Sequence, residues 1–243
     1  MSTTTATTPT LAERIESLNW DTTEQAMGDT GYATLPPLLT ADECGALRAL
    51  YDEPQNFRSR VDMERHRFGR GEYQYFAAPL PPAIQEMRTA FYPHLAKIAN
   101  GWMEKLGDDV RYPAGLSSFL DRCHAAGQTK PTPLLLRYRA GGYNCLHQDL
   151  YGAVAFPFQV IIALSERGEE YTGGELLLVE QRPRAQSRGY VITLEQGAAL
   201  IFPTHHRPLE GSRGYHRFGM RHGVSTVTCG IRYSLGLIFH DAQ

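Results

Sequence analysis

No Cys-x-x-Cys pair occurs in this sequence, and its four cysteines, Cys44, Cys123, Cys145 and Cys229, stand far apart. That spacing argues against both a disulfide framework and a structural zinc site. No run of 18 or more apolar residues is present, so no membrane-spanning helix is expected. An excess of one charge is missing too: 24 Lys and Arg face 26 Asp and Glu, a formal net charge of −2, so bulk charge does not mark a polyanion binder. Local basic patches can still act. The opening MSTTTATTPT lacks the basic and apolar regions of a secretory signal. A disordered stretch over 1–10 and a cytoplasmic protein are the expectation. Helical patterns do not alternate with strands in the second half, which argues against a Rossmann sheet, and no internal repeat is visible.

What is present is enough for one sizeable core, at 243 residues and 42% hydrophobic. Thr10-Leu-Ala-Glu13 and Thr40-Ala-Asp-Glu43 have the spacing at which a threonine caps a helix and the glutamate returns the hydrogen bond. Between these two helices, 31–39 reads as a short edge strand stopped by prolines. Residues 58–76 are basic, aromatic and irregular, a long loop or hairpin with Arg58, Arg60, Arg65, Arg67, Phe68, Arg70, Tyr73 and Tyr75. A long helix over 82–106 follows, with Ile84, Met87, Phe91, Leu95, Ile98 and Trp102 along one stripe and a kink expected at Pro93. Beyond Pro133 roughly eight short β-rich runs appear, among them 134–139, 143–147, 158–164, 175–179 and 231–239. The expected architecture is mainly β with a helical N-terminal part (11–132): a double-stranded β-helix, or jelly-roll, core over 133–243 backed by helices, as one structural domain.

The chemistry gathers around Leu146-His147-Gln148-Asp149. Alternate residues of an extended segment share a face, so His147 and Asp149 can aim an imidazole and a carboxylate at one point. His222, on another β-rich stretch, offers a third ligand. Two histidines and a carboxylate on one face of an octahedral metal leave positions open, the arrangement of non-haem Fe(II) oxygenases. Arg232 lies ten residues after His222, and Ser234 follows at i+2 on the same strand face. Guanidinium and hydroxyl together suit the distal carboxylate of a dicarboxylic keto acid. His205, His206 and His216 compete with His222 for the third place. Each is expected on a turn or in a Gly- and Arg-rich loop, and His222 is preferred.

The second half resembles the 2-oxoglutarate/Fe(II)-dependent oxygenase superfamily, nearest its prolyl-4-hydroxylase-like branch. The matching residues are Tyr138-Arg-Ala-Gly-Gly-Tyr143, His147-Gln-Asp149, Thr172-Gly-Gly-Glu-Leu176, Gly197-Ala-Ala-Leu-Ile-Phe202, and His222 followed by Gly230-Ile-Arg232-Tyr-Ser234. The resemblance implies that His147, Asp149 and His222 are catalytic iron ligands and that Arg232 binds the C5 carboxylate of 2-oxoglutarate. It also implies that Tyr138 donates a hydroxyl hydrogen bond to that carboxylate. The co-substrates it implies are 2-oxoglutarate and O2, with Fe(II) as the metal and succinate and CO2 as products. A jelly roll that has lost its metal, or a zinc hydrolase, fits less well. Two imidazoles, a carboxylate and an arginine inside an apolar barrel are costly without a metal and an anion to pair them.

The helical half does not fix the substrate. Hydroxylation of a prolyl or other amino-acid residue, in a peptide, a protein or a small molecule, is the first expectation. Oxidative demethylation of alkylated nucleic acid is the alternative, using 58–76 and the loop arginines Arg182, Arg184, Arg188, Arg207, Arg213, Arg217 and Arg221 around the barrel mouth. A non-catalytic module sensing 2-oxoglutarate or oxygen is the third. Tyr151, Gln159 and Arg217 are the candidates for substrate contact, from their closeness in sequence to the metal ligands. No membrane partner is expected, and the oligomeric state is not legible.

Overall fold

Two threonine caps begin the helical part. In the computed structural model, which describes residues 9–149, 152–182, 184–212 and 214–243, Thr10 opens α1 (Leu11–Glu16) with the reciprocal threonine–glutamate cap that its sequence predicts. Next come α2 (Trp20–Thr30), the short β1 (Ala33–Leu35) and α3 (Ala41–Ala49), which Thr40 caps in the same way. Such a cap contributes about 1 kcal/mol. Arg14 of α1 also forks onto Glu43 of α3, with N–O distances of 2.7 and 2.6 Å, so the two caps are tied together.

The segment from 58 to 76 is a hairpin rather than a loop: β2 (Phe57–Asp62) and β4 (Glu72–Phe76) pair antiparallel, and β3 (Gly69–Arg70) lies near its tip. After it, α4 (Pro82–Lys105) runs through Pro93 and buries the predicted stripe Ile84, Met87, Phe91, Leu95, Ile98 and Trp102. A further helix, α5 (Leu116–Ala125), ends the helical part. The remaining strands are β5 (Leu134–Arg139), β6 (Tyr143–His147), β7 (Phe158–Ala163), β8 (Tyr171–Gly173), β9 (Leu176–Gln181), β10 (Arg188–Ile192), β11 (Ala199–Pro203), β12 (His206–Gly211), β13 (Gly214–Val224) and β14 (Val227–Ile238).

Among the described residues these strands form two antiparallel sheets. The larger runs β1-β11-β7-β14-β5-β4-β2, with β8 also on β14; the smaller runs β10-β9-β13-β6-β3, with β12 also on β13. This is the expected jelly roll, joined by strands from the N-terminal part. At its centre, in β7 and β11, the larger sheet is buried on both faces, and period-2 alternation sorts its side chains. Phe158, Val160 and Ile162 of β7 face the helices, whereas Ile161 and Ala163 face the space between the sheets. Gln159 shares the inner face, so a polar side chain is delivered into the barrel. No helix among the described residues is long and apolar enough to cross a membrane.

Candidate active site

Strand register brings the predicted ligands together. His147, the last residue of β6, pairs across the sheet with His222 of β13, and their rings lie 4.1 Å apart. Asp149 follows β6 and is seated by its backbone N–H, which donates to the Thr204 carbonyl at 3.0 Å. Its Oδ1 lies 3.6 Å from His147 Nε2, and its Oδ2 lies 3.2 Å from His222 Nε2. One ligand atom from each of the three residues falls within 4.8 Å of the others, close enough to share a metal ion. Neither His205, at a bend, nor His206, at the start of β12, joins this group. His216 is on β13 rather than in a loop, and it stands apart as well.

The surroundings fix the chemical state of the ligands. His147 Nδ1 lies 2.8 Å from the Cys145 carbonyl, which holds the proton on that nitrogen and turns the Nε2 lone pair inward. Burial pushes the His147 pKa below its usual value, helped by His222 and opposed by Asp149. Burial alone would raise Asp149. The two imidazoles and the Gln159 amide outweigh it and hold the carboxyl well below the usual carboxylate range. A His147 imidazole biased toward its neutral form beside an ionised carboxylate suits a divalent metal, which binds through a lone pair and a negative oxygen.

These residues line a cavity of about 460 Å³. Arg232 and Ser234 both reach it from β14, as alternation predicts, and Arg232 Nη1 lies 3.2 Å from Ser234 Oγ. Arg232 is 3% exposed and its Nε has no hydrogen-bond partner; among the described residues no carboxylate lies within ion-pair distance of it. Tyr138, on the neighbouring β5, is fully buried. Its hydroxyl, with the Asn144 side chain nearby, lacks a partner at hydrogen-bonding geometry. Burial pushes its pKa up to about 12, although the Arg232 guanidinium works against the rise, so the hydroxyl keeps its proton. A buried cation and two hydroxyls with unused bonding capacity at one end of a cavity form a cradle for an anion. A dicarboxylate spanning from Arg232 to the His–Asp–His cluster fits that donor set. Gly174 explains part of the Thr-Gly-Gly-Glu motif: at φ +63, a Cβ there would lie 2.9 Å from Arg232 Cδ.

The cavity wall also holds residues that the sequence did not single out individually. Tyr73 and Tyr75, two apart on β4, both face it and meet edge to face at 5.4 Å; Arg58 sits 4.6 Å over the Tyr75 ring. Their period-2 spacing was the available signal. At the mouth, the turn before β3 presents Arg67 and Phe68, and Phe68 is 48% exposed. The turn is pinned: Cys145 N–H donates to the Phe68 carbonyl, and Gly69 lies so close to β6 that a Cβ would meet the Tyr143 carbonyl oxygen at 2.3 Å.

Other expectations need revision. Arg207 is not at the mouth: it is 1% exposed, donates to the Gly28 and Asp29 carbonyls at the end of α2, and faces Glu180. Arg217 is exposed but outside the cavity wall, paired with Asp108. Gln159 does line the cavity, yet it is 4% exposed and donates to Asp149 Oδ2 at 2.7 Å. Tyr151 and Arg213 lie outside the described residues.

Comparison with known proteins adds a second line of observation. A family model described as "Oxygenase, catalysing oxidative methylation of damaged DNA" matches residues 71–242. An uncharacterized protein of Mycobacterium tuberculosis, found in two strains, is 52% identical over 167 residues, covering 69% of this chain and 72% of the relative. Among solved structures, a Pseudomonas putida prolyl-4-hydroxylase is similar at a TM-score of 0.55 and 13% identity, over 92% of this chain and all of its own. A Burkholderia pseudomallei oxidoreductase of the 2-oxoglutarate-Fe(II) oxygenase family matches at 0.55 and 14%, over 93% of each chain. A Trichoplax adhaerens prolyl hydroxylase, solved with a peptide fragment of hypoxia inducible factor, matches at 0.53 and 14%, over 98% of this chain and 94% of its own. At such identities the likeness to these structures is one of fold.

Proposed function

Because the chain belongs to the 2-oxoglutarate- and Fe(II)-dependent oxygenases, enzymes that use Fe(II), 2-oxoglutarate and O2, we propose that it oxidatively removes methyl groups from damaged bases of nucleic acid. In this reading His147, Asp149 and His222 hold the iron, while Arg232, Ser234 and Tyr138 hold the distal carboxylate of 2-oxoglutarate. The observation that carries the choice of substrate is the family description, which names damaged DNA and covers most of the chain. Oxidation of a methyl group removes it rather than adds it. Hydroxylating an N-methyl carbon gives a hemiaminal, which breaks its C–N bond to release formaldehyde and the free base.

When bound, the iron with 2-oxoglutarate and O2 supplies the oxidising power that breaks the substrate C–H bond. The rest falls to the chain. Arg232, 3% exposed, fixes the co-substrate by charge-assisted hydrogen bonds, so its reactive end is aimed at the ligand cluster. The apolar walls of the cavity reduce the access of water around the reacting atoms once a substrate fills it. Tyr73 and Tyr75 offer ring faces to a planar base taken out of its stack. At the mouth, Arg67 has no acidic partner among the described residues, and Phe68 adds an exposed ring beside it. A cation next to an aromatic platform suits a phosphate and its base.

Hydroxylation of a prolyl or other amino-acid residue is the second reading. It is favoured by the aliphatic part of the wall, Leu134, Leu136, Ile161 and Ile238, which accepts a saturated ring as readily as a flat one. Succinate formation by the iron-loaded protein, with 2-oxoglutarate and O2, separates the two. The arms are no substrate, proline-containing peptides with free proline, and methylated single-stranded oligonucleotides, with His147→Ala as the blank. Stimulation by the oligonucleotides together with formaldehyde release is expected. Stimulation by the peptides alone would overturn the nucleic-acid reading, and a bound but unstimulated co-substrate would point to a sensor.

A further inference from the structure

Gln159 stands out because it is a neutral polar side chain placed by β7 among the inward apolar residues of the larger sheet. Its neighbours across the sheet are Phe202 on β11 and Ile238 on β14. Burying an amide there costs free energy unless its donors and acceptor find partners. The Nε2 group donates to Asp149 Oδ2 at 2.7 Å and lies 3.3 Å from His222 Nε2. The orientation of the amide is forced, since an ionised carboxylate can only accept and a reversed amide would set oxygen against oxygen.

Resting on the iron-site reading above, we infer that Gln159 is a positioning residue that tethers Asp149 by Oδ2 and so limits this carboxylate to one metal-binding oxygen. In this inference Oδ1, 3.6 Å from His147 Nε2, is the oxygen that binds the metal. The consequence is a count of positions. An aspartate that chelated through both oxygens would occupy a place needed by the keto-acid end of the co-substrate or by O2, whereas a single oxygen with two imidazoles leaves one whole face open. A tether of this kind acts through the ligand, as hydrogen bonds behind metal-bound side chains generally do, and losing one typically weakens metal affinity about 10–100-fold. A substrate-contact role for Gln159 is less well served, because the amide donor is already directed at the ligands.

The test is isothermal titration of the apoprotein with Mn(II), then of the Mn(II)-saturated protein with 2-oxoglutarate under nitrogen, for the parent and Gln159→Met. Methionine keeps the length and volume and removes the donor. The expected result is Mn(II) binding weaker by about 10–100-fold, weaker 2-oxoglutarate binding even at saturating metal, and an unchanged melting temperature. A residue that only packs would leave both affinities where they are, and that result would overturn the inference. Gln159→Asn, which keeps an amide but ends one methylene short, must show the same losses and stands in if the methionine variant does not fold. Absence of Mn(II) binding in the parent, or its retention in His147→Ala, would overturn the iron-site reading itself and this inference with it. Binding in the parent that is lost in His147→Ala leaves Gln159 to be judged by its own variants.

Discussion

Replacing Arg232 with methionine should move stability and co-substrate affinity in opposite directions. Arg232 is buried at 3% exposure with its Nε unpaired and no carboxylate within ion-pair distance among the described residues. Without an anion such a charge is a burden on the fold. Exchanging a buried charge for a well-packed apolar side chain is commonly neutral or stabilising by about 1–4 kcal/mol. For a domain of this size each 1 kcal/mol corresponds to about 2–4 °C in melting temperature. The ligand-free variant should therefore melt at the parent temperature or several degrees above it. Co-substrate binding should fall instead, since deleting one partner of a buried charge pair costs about 2–5 kcal/mol. That range corresponds to a dissociation constant about 30-fold to about 4000-fold higher. Thermal denaturation of the metal-free protein gives the first quantity, and titration of the Mn(II)-loaded protein with 2-oxoglutarate gives the second. Unchanged 2-oxoglutarate affinity would refute the assignment of Arg232. A melting temperature that drops along with affinity would show that the guanidinium supports the fold instead.

Four further variants probe other parts of the structure. Gly174→Ala should weaken 2-oxoglutarate binding without touching Mn(II) affinity, because its Cβ would displace the Arg232 side chain from a backbone conformation that alanine disfavours; equal affinity in both titrations would show that the strand absorbs the methyl group. Phe68→Ala should weaken binding of a methylated single-stranded oligonucleotide by about 1–3 kcal/mol, and Arg67→Ala should lower the slope of affinity against salt by about one phosphate contact. Fluorescence anisotropy at several salt concentrations reads both, and unchanged binding in both variants would remove the mouth from the substrate path. Glu43 is held at about 2, chiefly by its hydrogen bond from Arg14, while its unfolded value lies near 4.5. Its contribution is thus fully present above about pH 4.5 and lost as pH falls toward 2. The stability gap between the parent and Glu43→Gln should close over that window in urea unfolding, and a gap independent of pH would contradict the pairing.

Much of the fold was legible because the relevant signals are local. Both capping boxes rest on a four-residue pattern, and β5 and β6 were bounded by their own apolar runs and flanking glycines. The β12–β13 hairpin was not. From His206 to Arg221 it is rich in Arg, His and Gly, and its outer part is exposed, so no alternation of apolar and polar residues betrays the hairpin that leads into His222. That strand is held by its ladders to β9 and β6, which are contacts distant in sequence. The loop arginines illustrate the same limit. Arg207 and Arg217 look alike in the sequence, yet one is buried against the end of α2 and the other is paired with Asp108 at the surface. That His147, Asp149, His222 and Arg232 meet in one cavity could be read from spacing and motif order. The partners that set their chemical state, Gln159 behind Asp149 and the Cys145 carbonyl behind His147, depend on which atoms meet across strands.

Cys145 has a place in the chain of contacts that its side chain does not reveal. Its N–H holds the Phe68 carbonyl at the mouth, and its own carbonyl holds His147 Nδ1 beside Asp149 and His222. The mouth turn and the first imidazole are thus bolted to opposite sides of a single residue. A chain that lengthened or reshaped the β2–β4 hairpin to admit a different guest would have to re-seat its first imidazole as well, so the entrance and the hearth of this oxygenase can be altered only as a pair.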